Sequence, residues 1–234
     1  MIRQAILTFT SIVILSISGM GAESEKCPNC ALESGAKGAD LVSETPWIEP
    51  EKRKSAFTRN YGFKNQDNQS VASDDLKGKP LVITFLYTRC TNALKCPLAA
   101  STFAALEEKL TRLELLNKVR LIVVTYDPEY DSPMILKKYA KGKSISAEKD
   151  AMLLQPDESQ KNALFDDLEL PVNFSNGRVN IHGIKLLLLD SQSRIAKTYK
   201  TVIWENEKVV KDIQQLLAEA GSPQPKVSSG PNKD

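Results

Sequence analysis

Residues 81–97 read Leu-Val-Ile-Thr-Phe-Leu-Tyr-Thr-Arg-Cys-Thr-Asn-Ala-Leu-Lys-Cys-Pro. The first seven, Leu81 to Tyr87, form an apolar run rich in β-branched and aromatic residues, the composition of a buried strand. Pro97 suits the first turn of a helix, where a missing N–H leaves nothing unpaired. Phe103, Leu106, Leu110 and Leu113 then recur at helical spacing. Cys90 and Cys96 therefore sit where a buried strand gives way to a helix. Backbone N–H groups at a helix start favour negative charge, which predicts that Cys96 is biased toward thiolate. Thiolate is the form that attacks disulfides and binds soft metals. The chemistry expected of this hinge is copper binding, dithiol/disulfide exchange, or both in sequence.

Working outward, Val119 to Thr125 reads as a second buried strand. Continuous apolar runs alternating with helices predict an α/β fold with a parallel sheet covered on both faces, which the antiparallel partner strand near the end of the chain makes a central mixed sheet flanked by helices. Asp127-Pro128-Glu129-Tyr130-Asp131-Ser132-Pro133 follows that strand, and Pro133 opens a helix to about Lys141 with Ser132 as its cap. Sites in open α/β sheets lie at the carboxyl ends of strands, so the cysteine loop and the Asp127 loop are expected to share one rim. Upstream, Phe63 to Val71 reads as a hairpin around Asn65-Gln66-Asp67-Asn68, and Asp74 to Pro80 as a turn into the first strand. Downstream, a short strand is expected at Ala151–Leu154, a helix from Ser159 to Leu168, and a polar loop from Asn173 to Asn180. A strand beginning at His182 and ending at Asp190 follows, then an antiparallel partner from Arg194 to Lys200. A closing helix is marked by Val209, Ile213, Leu216 and Leu217.

The ends of the chain have a different character. Residues 1–22 carry Arg3, an apolar stretch from Ala5 to about Met20, and small residues Gly19, Gly21 and Ala22, the pattern of a secretory signal peptide or, if retained, an N-terminal membrane anchor. Either outcome places the rest outside the cytoplasm, periplasmic or anchored facing the periplasm, where disulfides persist. Residues 23–56 read as a tether in which Trp47 and Ile48 dock on the domain. The folded domain is expected over 57–220, with a disordered Pro/Ser/Lys-rich tail over 221–234. The tether holds Cys27-Pro28-Asn29-Cys30, whose thiols are read as a structural disulfide, a redox relay or a copper hand-over pair. Zinc is disfavoured, because a closed tetrahedral site wants four ligands. The formal charge is +2 over 234 residues, which leaves no nucleic-acid footprint.

The order strand, cysteine loop, helix, strand, Asp-Pro loop, helix, hairpin and closing helix resembles the thioredoxin-like fold. More narrowly, the chain resembles the Sco/SenC family of copper-handling proteins that serve cytochrome oxidase assembly. Four features carry this: Gly78-Lys79-Pro80, Phe85 to Cys90 with Cys96-Pro97, Asp127-Pro128-Glu129 with Asp131-Ser132-Pro133, and His182 ahead of the strand ending at Asp190. The resemblance implies copper as cofactor, with Cys90, Cys96 and His182 as its ligands. Alone, His182 would be a histidine filling a strand start; it is the only histidine in the chain. Asp127 is implied as an acidic neighbour of the site, or else a turn residue before Pro128. The partners implied are a copper-accepting protein such as a cytochrome oxidase subunit and a thiol reductant protein. The sequence departs from the family's pattern in one respect: five residues, Thr91 to Lys95, separate the cysteines instead of three. An enzymatic alternative, a thiol–disulfide oxidoreductase using Cys90 and Cys96, needs no histidine. A peroxidase-like thiol enzyme finds little support beyond Thr88 and Arg89, and a purely structural Cys90–Cys96 disulfide is the plainest alternative.

Overall fold

The computed structural model describes residues 44–148 and 150–221. The leader, the Cys27/Cys30 pair and the chain beyond 221 lie outside the described residues. Nine strands and four α-helices are present among them: β1 (Gly62–Asn65), β2 (Ser70–Ala72), β3 (Leu81–Leu86), α1 (Cys96–Arg112), β4 (Arg120–Thr125), α2 (Pro133–Gly142), β5 (Ala151–Pro156), α3 (Lys161–Asp167), β6 (Val172–Ser175), β7 (Arg178–His182), β8 (Leu186–Leu189), β9 (Ile195–Tyr199) and α4 (Asn206–Gly221). No helix among the described residues is long and apolar enough to cross a membrane.

A seven-stranded mixed sheet runs in the order β2-β1-β5-β4-β3-β8-β9. Its centre is parallel, β3 on β4 and β4 on β5, and its flanks are antiparallel. All six β3 residues are buried, as expected of a strand covered on both faces. Successive side chains on a strand point to opposite faces. Val82 and Leu86 accordingly join one core with Phe103, Leu106 and Leu110 of α1 and with Val209, Ile213 and Leu216 of α4. Leu81, Ile83 and Phe85 join the other with Tyr61, Phe63 and Leu164 and Phe165 of α3. The sheet separates the two cores, and the helices close both.

β3 and β4 end in register, Leu86 opposite Thr125, so the loops that follow them leave the same edge of the sheet. Ser132 stands at the N-cap of α2, but its hydroxyl makes no capping bond; its carbonyl accepts from the Leu136 N–H at 2.9 Å.

The segment ahead of the last two strands differs from the sequence expectation. Residues 173–180, expected as a polar loop, belong to a hairpin, β6–β7, that forms a two-stranded sheet of its own. His182 ends β7 and does not begin the next strand, which starts at Leu186. Residues 44–55, read as tether, bridge to the edge strand at Glu44–Tyr199 and Ser55–Arg194. There Arg53, its side chain almost wholly buried, pairs with Asp190 and with Glu219 of α4. α4 itself runs through Gly221, the first residue assigned to the tail.

Candidate metal centre

Three elements deliver three donors to one point. The loop after β3 brings Cys90, the first residue of α1 is Cys96, and the last residue of β7 is His182. His182 Nε2 lies 3.4 Å from Cys96 Sγ and 3.8 Å from Cys90 Sγ. All three donor atoms lie within 4.8 Å of one another, and all three residues are buried. Both thiols are free. Metal–sulfur and metal–nitrogen bonds of about 2.0–2.3 Å set donors of a three-coordinate centre roughly 3.5–4 Å apart, so the spacing fits a single ion. Two soft sulfurs and one imidazole fit a soft ion better than a hard one. No further Cys, His, Asp or Glu among the described residues joins the group.

The two thiols are electrostatically unequal, in the reverse of the sequence expectation. The Cys90 thiol is pushed down to about 3, first by the hydrogen bond from Cys96 and, against the cost of burial, by His182. The Cys96 thiol is pushed up, first because it donates that bond to Cys90 and then because it is buried. A helix start does favour charge, but Cys96 has no exposed surface. Desolvation beside an existing thiolate outweighs the helix terminus.

Tyrosines wall the centre. The Tyr87 ring stands edge-on to the His182 ring at 5.1 Å, and the Tyr126 ring lies 5.7 Å from it. Burial first, then the neighbouring cysteines, raises the pKa of Tyr87, Tyr126 and Tyr139, so all three phenols stay neutral. Sequence reasoning did not single these residues out. The available signal was position, since Tyr87 and Tyr126 directly follow β3 and β4 on the edge where sites form.

Asp127 shares that edge but not the cluster. Its carboxylate accepts from Arg89 Nε at 2.9 Å and Nη2 at 2.6 Å, and the Arg89 guanidinium in turn covers the Tyr130 ring at 4.1 Å. Asp131 ties the same two loops together, accepting from the Thr88 N–H at 3.0 Å and from the Thr88 and Thr125 hydroxyls. Lys95 Nζ stands 3.5 Å from the His182 carbonyl, at the long limit of a hydrogen bond.

A thioredoxin-like domain with two thiols and an imidazole converging at the carboxyl edge of its sheet is thus the class that fold and site define. The SCO1/SenC family model matches residues 49–218. The chain belongs to that family. It is 34% identical over 86 residues to the SCO1 protein homolog of Bacillus subtilis, a stretch covering 37% of this chain and 42% of that relative's length. Among solved structures, it is similar to BsSco, described as a member of the Sco family of cytochrome c oxidase assembly proteins, with TM-score 0.62 and 22% identity over 74% of this chain and 98% of the other. It is also similar to Arabidopsis thaliana ScoI with copper bound, with TM-score 0.57 and 16% identity over 69% of this chain and 98% of the other. At these identities the structural likeness is one of fold.

Proposed function

We propose that this protein is an extracytoplasmic copper metallochaperone. Reduced Cys90 and Cys96 with His182 take up one Cu(I) as cargo and pass it by ligand exchange to a copper-accepting protein such as a cytochrome oxidase subunit. The observation that carries the reading is the convergence of His182 Nε2 on both sulfurs, 3.4 and 3.8 Å away, from 86 and 92 residues along the chain. Family membership and a copper-bound relative of the same fold support it, and the leader-like residues 1–22 support a place outside the cytoplasm. The donor set is soft and low in coordination number, which suits Cu(I) and leaves room for an incoming ligand.

The inequality of the thiols favours a second reading, a thiol–disulfide oxidoreductase. Cys90 thiolate would attack a partner disulfide, forming one S–S bond and expelling one partner thiolate. Cys96, losing its proton, would then attack the Cys90 sulfur and expel the other, so that two electrons pass to the partner. A thiol reductant protein would restore the pair.

Anaerobic Cu(I) titration of the reduced protein against a competing chelator separates the two. The expected result is one ion bound, with affinity lowered more than ~10-fold in each of Cys90→Ala, Cys96→Ala and His182→Ala, because even partners that only orient a ligand are worth 10–100-fold. Equal binding by wild type and His182→Ala, with disulfide reduction intact, would replace the copper reading with the redox one.

A further inference from the structure

A histidine that ligates a metal ordinarily donates its other ring N–H to a carboxylate or carbonyl, which fixes the ring. His182 lacks this support. Its Nδ1 is buried and has no hydrogen-bond partner among the described residues. Something else must hold Nε2 toward the sulfurs.

Tyr126 is the residue that touches both the ring and the backbone beside it. Its ring packs 5.7 Å from the imidazole, and its hydroxyl donates to the carbonyl of Gly183, the next residue. Tyr126 is itself firmly placed. It has no exposed surface, its N–H donates to the Leu86 carbonyl at 2.8 Å, and its ring lies 6.0 Å from both Phe85 and Phe165. The other side of Gly183 is fixed as well, since its N–H donates to the Pro171 carbonyl at 2.8 Å. Gly183, the residue that follows the imidazole, is thus held through both its N–H and its carbonyl, the latter by a phenol anchored in the main sheet.

We propose that Tyr126 is a positioning residue for the metal centre: through the Gly183 carbonyl and ring contact it aims His182 Nε2 at Cys90 and Cys96, in place of a hydrogen bond to Nδ1. As a statement about copper this rests on the proposed function; as a statement about the aim of the imidazole it does not. Tyr87 completes the aromatic wall, but among the described residues no hydrogen bond joins its side chain to the backbone of this hairpin.

The test is Tyr126→Phe, which keeps the ring and removes the hydroxyl, combined with His182→Ala in a double-mutant cycle. Two readouts are used: Cu(I) affinity by chelator competition, and the imidazole NMR signals of His182 in the metal-free protein. Tyr126→Phe is expected to lower affinity about tenfold, within the range for groups that orient a ligand. It should have no further effect in the His182→Ala background. The His182 ring signals, single and sharp in wild type, should broaden or split. An affinity loss of equal size in both backgrounds, or unchanged His182 signals, would overturn the proposal. If wild type binds no Cu(I), the copper reading fails by itself, and the metal-free ring signals still decide the role of Tyr126.

Discussion

Cys90 and Cys96 stand together beside His182 but differ in which carries the proton. The neighbouring Cys96 thiol and His182 lower the Cys90 pKa well below the ordinary thiol range, while the Cys90 sulfur and burial raise that of Cys96. Removing either residue therefore changes the other. Titrated by its ultraviolet absorption in the reduced, metal-free protein, the thiolate is expected to persist as pH falls to ~4 and to disappear as pH approaches about 3. In Cys96→Ala the donor is gone, and the midpoint should rise toward the ordinary thiol value of ~8.5. In Cys90→Ala the remaining thiol keeps its burial penalty, so no thiolate should appear at neutral pH. The same absorption at pH 5 in wild type and Cys96→Ala would show that the hydrogen bond between the sulfurs is not the cause.

At the scale of elements, the histidine rides on a part of the fold that the main sheet does not own. Among the described residues β6 and β7 pair as strands only with each other, and they pack through Val172, Phe174 and Val179 against the core beneath. Gly183 is the pivot of that arm. A Cβ there would stand 2.4 Å from Pro171 Cγ, a rigid ring atom. Gly183→Ala is therefore expected to displace the hairpin, lowering stability by about 1–3 kcal/mol as overpacking does. Urea denaturation should read this loss, and Cu(I) affinity should fall with it. The central elements β3, α1, β4 and α2 were legible because their burial is written as long apolar runs or helical spacing with Pro97 and Pro133 at the starts. The hairpin was missed although Val-Asn-Phe-Ser and Arg-Val-Asn-Ile alternate apolar with polar residues, because its strands are only four and five residues long and all their residues but His182 are exposed or half-buried. Its turn was nonetheless in view. Asn176-Gly177, with φ of +50° and +69°, is the two-residue pair that the tightest hairpins prefer. The reversed thiols could not be read from sequence, since they follow from the depth of Cys96 and its contact with Cys90.

At the scale of the molecule, the fold closes around its edges as well as its centre. The segment from Glu44 to Ser55 lies along β9, and Arg53 couples it to Asp190 and to α4 through buried charge. The donors were legible as residues, but their meeting depends on β3, α1 and the β6–β7 arm all being in place. In the unfolded chain Cys96 and His182 are 86 residues apart, and no preformed site exists to bring them together. Cargo and fold are consequently linked by mass action. Free Cu(I) at ~100 times its dissociation constant should add about 2.7 kcal/mol to stability and raise the melting temperature, an increment that His182→Ala should lose at the same concentration. Differential scanning calorimetry with and without the ion measures it. On the proposed reading the ion would work as a rivet through three pieces of chain, and a protein that dropped its cargo would also loosen its own seams.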